Sequence, residues 1–317
     1  MSVGLKHVAQ RSGVSKSTVS RYLNGGYISQ EKKEAVEKAI KELNFVSNSN
    51  ARSLKTNKSN MVALFVPTID HPFFARLAKY VEDDLYKKNY RLLLVSSGGD
   101  TMKEIQIIKL INEKAVDGAI FVTHNYYPSI PTTMPIVTID RHFGNHVPCI
   151  TSDNFDGTYK GLKYLKDKGC QKIGFLGGKP LVESEVNKRF DAYIEFCRAE
   201  KIIPIYSFEN LEHGQEYEVA KQFLIDNDVD GLFCSSDLLA YGAYNYLHKK
   251  SKDNKVKIMS FDGITDDMFF GVDLTSIKQN MSQLASKAVE VLMRRINGEK
   301  VESKYVVDTT FVKGETA

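Results

Sequence analysis

The chain has 317 residues, 42% of them hydrophobic and 26% charged, with a net charge of +4. That length suits two or three domains rather than one small core. It has no run of 18 apolar residues to span a membrane. Its first residues, MSVGLKHVAQRSG, hold no apolar core for a secretory signal, so a cytoplasmic protein is expected.

Charge is uneven along the chain. Residues 1–60 hold 11 Lys and Arg against 4 Asp and Glu, a net of +7, and the rest holds 32 against 35. A basic head on a mildly acidic body points the head toward a polyanion. Within it, LKHVAQRSG reads as a short helix with Val8 and Ala9 inward and Gly13 at its end. Ser15 is placed to cap a second helix, Lys16–Leu23, whose Val19 and Leu23 share one inner face. Asn24-Gly25-Gly26 stops it. Ser29 is placed to cap a third helix, striped by Val36, Ala39, Ile40 and Leu43. The second helix turns Lys16, Ser17 and Arg21 outward, short hydroxyls and cations over an apolar underside. That is the chemistry of a helix reading base edges in the major groove.

Residues 44–58, NFVSNSNARSLKTNK, have the composition of a linker. Yet Ala51-Arg52-Ser53-Leu54-Lys55 can form a turn and a half of helix, too short to stand alone in water. Such a segment can order on DNA and wedge Leu54 into the minor groove, or it can be a plain linker.

The head therefore resembles that of the LacI/GalR (lactose-repressor) family of bacterial transcription regulators. The likeness rests on LKHVAQRSGVSKSTVSRYLNGG and ISQEKKEAVEKAIKELNFVSNSNARSLK. It implies a helix-turn-helix domain over 1–46, a hinge helix over 47–60 and an effector-binding and dimerisation domain over 61–317. The DNA-contacting set it implies is Lys6, Ser15, Lys16, Ser17, Thr18, Arg21 and Asn24 in the head, with Asn48, Ala51, Arg52 and Leu54 in the hinge. One departure is Ser47 before Asn48, where the family often has proline.

From residue 61 onward, β-rich runs alternate with amphipathic segments. MVALFV (61–66) is followed by a helix Phe74–Lys88, RLLLVSS (91–97) by a helix Lys103–Lys114, and then come GAIFV (118–122) and IVTID (136–140). A second set has KIGFLGG (172–178), a helix Asn187–Glu200, IPIYSF (203–208), a helix Glu216–Asp226, GLFCSSD (231–237), a helix Leu239–Lys249 and KIMSFDG (257–263). Alternation implies parallel, doubly wound sheets, and two sets imply two α/β lobes. Several strands end in Asp or Ser, where ligands sit in open α/β sheets, although Asp there also caps helices.

Over this body the resemblance implies a two-lobed core like that of periplasmic sugar-binding proteins. Matching positions give an effector set of Asp70, Phe73 and Phe74 in the first loop, then Asp140, Arg189, Tyr217, Ser236 and Asp262. Asp70-His71 stands where Thr-Asn is common, and Ser236 where Asn is frequent, so the ligand itself does not carry over. The family implies a homodimer on a pseudo-palindromic operator and a mono- or disaccharide effector. Its alternatives are a purine or sugar-phosphate corepressor, or a phosphocarrier protein as partner. The run SKYVVDTTFV is followed by no leucine heptad, which favours a dimer over a tetramer.

Catalytic signatures are missing. Gly177-Gly178-Lys179 lacks phosphate-loop spacing, and neither HExxH nor GxSxG occurs. His142 and His146 flank FGN, which breaks any shared helical face, and Asp153, Asn154 and Asp156 lack the remaining ligands of a cation loop. Cys149, Cys170, Cys197 and Cys234 have no CxxC spacing and read as reduced, buried thiols. No cofactor or metal, and no enzymatic activity, is expected.

Overall fold

A computed structural model describes residues 3–23, 25–45, 58–98, 100–122, 135–144, 146–180, 182–211, 213–251, 255–264 and 271–317. The chain divides into two compact units, Met1–Ser59 and Asn60–Ala317. The hinge positions Asn48, Ala51, Arg52 and Leu54, and Asn24 in the head, lie outside the described residues.

The first unit contains three helices, α1 (Leu5–Ser12), α2 (Lys16–Leu23) and α3 (Gln30–Glu42). Gly13 ends α1 in the left-handed region at φ 69°, a conformation glycine reaches without a Cβ penalty. Val8, Val19 and Val36 are fully buried and, with Ala9 and Ala39, form the core of this unit. Three valines are a small core, and each buried side chain of this size contributes about 1.5–3 kcal/mol. Ser29 has the extended backbone of an N-cap to α3, but its side chain makes no capping hydrogen bond.

The second unit is built on two six-stranded sheets. In chain order its elements are β1 (Met61–Val66), α4 (Pro72–Lys87), β2 (Arg91–Ser96), α5 (Thr101–Asn112), β3 (Gly118–Phe121), β4 (Ile136–Ile139), β5 (Cys149–Ser152) and α6 (Asn154–Asp167). Then follow β6 (Ile173–Gly178), α7 (Asn187–Glu200), β7 (Ile205–Glu209), α8 (Glu216–Asp226), β8 (Gly231–Cys234), α9 (Asp237–Lys249) and β9 (Lys257–Asp262). The last are β10 (Thr275–Gln279), α10 (Met281–Ile296), β11 (Lys304–Val307) and β12 (Thr309–Val312). Lobe 1 holds the sheet β11-β5-β4-β3-β1-β2, and lobe 2 the sheet β12-β10-β9-β8-β6-β7.

Lobe 1 is parallel throughout. In lobe 2 the edge strand β12 runs antiparallel to β10, an exception to the all-parallel expectation. Strand β1 is a continuous apolar run because both its faces are covered. Val62, Leu64 and Val66 pack with Leu77 and Val81 of α4 and Leu284 of α10, while Ala63 and Phe65 face the other way, with Phe65 stacked on Phe121 at 4.1 Å. In lobe 2, Phe175, Phe233 and Phe261 pack under α6 and α7, and Leu232 and Ile258 under α8 and α9. All four cysteines are buried and free.

The lobes are not two consecutive halves. The chain leaves lobe 1 after β5, and α6 packs on the strands of lobe 2. It returns after β10, so that α10 packs on α4 and β11 joins β5, and then crosses again to β12. The sequence reading lacked β5, α6, β10 and α10, which are the elements of these crossings. Three helices begin two residues earlier than their apolar spacing predicts, because a polar side chain caps each. His71 accepts from Phe73 N at 3.2 Å ahead of Pro72, Asp100 from Met102 N at 2.8 Å, and Ser236 from Leu239 N at 3.4 Å.

Candidate DNA-reading helix and effector pocket

Helix α2 is held from below and open above. Ser15 Oγ accepts from Thr18 N at 3.1 Å, capping the helix, and lies 2.7 Å from Ser17 Oγ and 2.8 Å from Thr18 Oγ1. Val19 anchors the underside, and Tyr22 donates to Glu37 Oε1 of α3 at 2.8 Å. Lys6, Ser15, Lys16, Ser17 and Arg21 are exposed, and Thr18 is half-buried. Behind α2, Gly26 N donates to Arg21 O at 2.8 Å, and a Cβ on Gly26 would come within 2.6 Å of Arg21 Cγ. The bare glycine leaves room for the arginine stem, a role the sequence reading gave only to helix termination. Tyr27, 89% exposed just beyond, was also not singled out.

In the core, Asp140, Arg189 and Asp262 come together at the carboxyl ends of the strands, each 6% exposed or less. Asp140 follows β4, Arg189 lies in the first turn of α7, and Asp262 ends β9. Arg189 donates through Nε to Asn154 Oδ1 at 2.7 Å, and through one terminal nitrogen to Ser235 O at 2.6 Å and Asp262 Oδ1 at 3.3 Å. Its guanidinium lies 3.8 Å from the centre of the Phe261 ring. Gln279 closes the circle, donating to Asp262 Oδ1 at 2.7 Å and accepting from Ser152 Oγ at 2.7 Å. Asn154 donates to Ser152 O and Thr151 Oγ1, both at 3.0 Å, and Thr151 donates to Asp140 Oδ1 at 2.5 Å.

This polar ring joins β5 and α6 to α7, β9 and β10, which brings both lobes to one site. Burial pushes Asp140 up from the ordinary aspartate range, against the pull of Thr151 and Arg189. Burial likewise pushes Asp262 up to about 7, with Arg189 lowering it and nearby Asp237 raising it. Both acids also hold positive φ, 59° at Asp140 and 118° at Asp262, a strained backbone that clusters at ligand sites. On each carboxylate the described residues donate only to Oδ1, leaving Oδ2 without a donor among them.

The remaining expected residues are not drawn into this ring. Ser236 caps α9, and its neighbour Asp237 is the fully buried acid, accepting from Ser260 Oγ at 2.5 Å, Ile264 N at 2.6 Å and Ser276 Oγ at 3.0 Å. Tyr217 starts α8 with the Lys249 ammonium 4.6 Å from its ring centre. Phe73 is 6% exposed inside the core of lobe 1, while Phe74 is half-buried beside it. Asp70 is exposed and pairs with Thr68. The His71 ring lies 5.1 Å from Phe74 and 5.7 Å from His213 of lobe 2. Burial and then His213 push its pKa down to about 4. Sequence reasoning missed Thr151, Ser152 and Gln279, and weighed Asn154 only as a cation ligand. Their signal was a polar cluster at the ends of β5 and β10, two strands it did not place.

Among the described residues no helix is long and apolar enough to cross a membrane, and no cluster of His, Cys, Asp and Glu could hold a metal ion.

Comparison with known proteins gives this geometry a family. The description "Bacterial regulatory proteins, lacI family" matches residues 4–48, and "Periplasmic binding proteins and sugar binding domain of LacI family" matches residues 59–315. A ribose operon repressor of Halalkalibacterium halodurans is 31% identical over 98% of this chain and 96% of its own. A sucrose operon repressor of Lactococcus lactis is 33% identical over 96% of each. The Lac repressor dimer bound to operator and the anti-inducer ONPF shares the fold at a TM-score of 0.84, with 22% identity over 100% of this chain and 99% of that one. With a helix-turn-helix head and a two-lobed core that both match, the chain belongs to the lacI family of bacterial regulatory proteins and is a DNA-binding transcriptional repressor under the control of an effector.

Proposed function

We propose that the effector is a saccharide bound between the lobes by Asp140, Arg189 and Asp262, and that its binding releases operator DNA. The observation that carries this reading is the buried polar ring. Two acids on a strained backbone each keep one carboxylate oxygen without a donor among the described residues, and an arginine is fixed beside them by Asn154, Ser235 and Asp262. Carboxylate oxygens accept from hydroxyls, and a guanidinium engages neighbouring oxygens in pairs, which together suit a polyol. Phe74 and the His71 ring offer apolar faces beside the first loop. The ribose and sucrose operon repressors among the relatives support the same class.

On the DNA side, Lys16, Ser17 and Arg21 read base edges, while Lys6, Ser15, Thr18 and Asn24 hold the backbone. The hinge segment with Asn48, Ala51, Arg52 and Leu54 contacts the operator and opens its minor groove. Two copies form a dimer that reads a pseudo-palindrome in the cytoplasm. The effector must favour one lobe arrangement over the other, because equal affinity for both shifts nothing.

The test is a thermal-shift panel of mono- and disaccharides, sugar phosphates and purines on the full-length protein, followed by operator binding with each hit. A free saccharide that stabilises the protein and weakens operator binding is the expected result. A purine or sugar phosphate that tightens operator binding overturns it in favour of a corepressor. Silence across the panel overturns it in favour of a protein signal.

A further inference from the structure

Glu185 lies outside the polar ring but touches what holds both of its sides. It sits in the turn between β6 and α7 with its side chain 5% exposed. A buried carboxylate is costly unless it is paired on several sides. Here His142 Nε2, Lys304 Nζ and Lys188 Nζ each lie 2.7 Å from its oxygens. His142 follows β4 and Lys304 opens β11, both in lobe 1, whereas Lys188 belongs to α7 of lobe 2. Burial alone would raise the pKa of Glu185, but hydrogen bonds from Lys188, Lys304 and His142 outweigh it and bring it down to about 2.

The backbone around this knot is sewn across the lobes as well. Glu185 N donates to Asp140 O at 3.1 Å, and Ser184 Oγ donates to the same carbonyl at 2.8 Å. Arg141 and Ser184 form an antiparallel bridge, and the buried Arg141 guanidinium reaches Val182 O at 3.5 Å. Asp140 is thus tied by its carbonyl to the residue whose carboxylate binds His142 and Lys304 of lobe 1. Arg189 lies one helical turn beyond Glu185, on the helix that Lys188 also anchors.

We propose that Glu185 is a positioning residue for effector binding: its knot of two lysines and a histidine fixes the lobe spacing at which Asp140 and Arg189 address one ligand. This rests on the pocket assigned above, but the spacing it sets is measurable without any ligand. Removing the charge frees the lobes to separate and lowers the population competent to bind, which weakens apparent affinity in proportion.

The experiment is a spin-label distance measurement on the full-length protein carrying Ile69→Cys in the first loop of lobe 1 and Lys179→Cys at the end of β6 in lobe 2. Both positions are exposed, and the native cysteines are buried. The parent is expected to give one narrow distance, Glu185→Gln a longer and broader one, and Glu185→Asp an intermediate one. Lys304→Met, a milder change if Glu185→Gln folds poorly, is expected to move the distance the same way, with little added by combining the two. The saccharide that stabilises the parent is expected to bind Glu185→Gln about tenfold more weakly, while operator affinity without it stays unchanged. An unchanged distance in Glu185→Gln and Lys304→Met, or a lower Tm with no change in distance, overturns the proposal. A shifted distance with no saccharide bound by the parent upholds the knot and removes only the saccharide reading.

Discussion

The head and the core carry their candidate ligand-binding residues on opposite kinds of surface. On α2, Lys16, Ser17 and Arg21 stand in solvent, and the hydroxyl contacts beneath them run between residues two or three apart. In the core, Asp140, Arg189 and Asp262 are buried, and their partners lie 11 to 73 positions away in sequence. An exposed cation awaiting DNA loses little while it waits. A buried acid must first be satisfied by the protein itself. Substitutions in the head should therefore act one residue at a time, and those in the core as a group.

That contrast is most directly broken at Arg189. Arg189→Ala strands Asp262 and Asn154 together, so the core should lose about 3–5 kcal/mol and its response to effector, while operator binding persists. Thermal melting followed by gel shift checks both, and a variant of parental stability would show that the ring does not depend on this guanidinium. Arg21→Ala should leave the melt unchanged and lower specific operator affinity by about 1–3 kcal/mol, the range of a bidentate base contact. A change in salt slope with sequence preference intact would make it a phosphate contact instead.

Ser15→Ala removes a cap from the exposed side of the comparison and should cost the head about 1 kcal/mol, seen as faster amide exchange along α2. Unaltered exchange would show that the hydroxyl cluster does not hold the helix start. The finest test is Asp262→Asn. The folded-state pKa of Asp262 lies above its free-chain value of 3.8, so the native protein keeps a proton that the unfolded chain has lost. Stability should therefore fall as pH rises from the ordinary aspartate range through about 7, with the full penalty above. The asparagine variant should flatten that slope in urea titrations, and an unchanged slope would assign the proton elsewhere.

How much could be read in advance follows the same division. Val8, Val19, Val36 and Gly13 announced three helices because their spacing is local, and α2 begins and ends where the sequence places it. Arg189 and Asp262 were legible through their matching positions, yet nothing nearby in sequence states that they meet. Gln279 and Ser152 escaped notice because TSIKQ and CITS are short strands among polar residues, and their meaning is a pairing 127 residues apart. Ser236 was read as a pocket hydroxyl; in the structure it caps α9, and its neighbour Asp237 lies in the interior. Asp140 and Asp262 carry strain that no periodicity encodes.

The three crossings between the lobes also set an order of assembly. Lobe 1 begins at residue 61, but α10 and β11, which cover and border its sheet, come only after residue 280. A ribosome that has released everything up to β10 holds Val62, Leu64 and Ile150 without Leu284, Ala288 and Val307 against them. Lobe 2 has most of its strands by then, and lacks only the edge strand β12. The lobe translated first is therefore the one completed later: α4 already packs on its apolar face, but the part that α10 and β11 cover waits until the residues after 280 emerge.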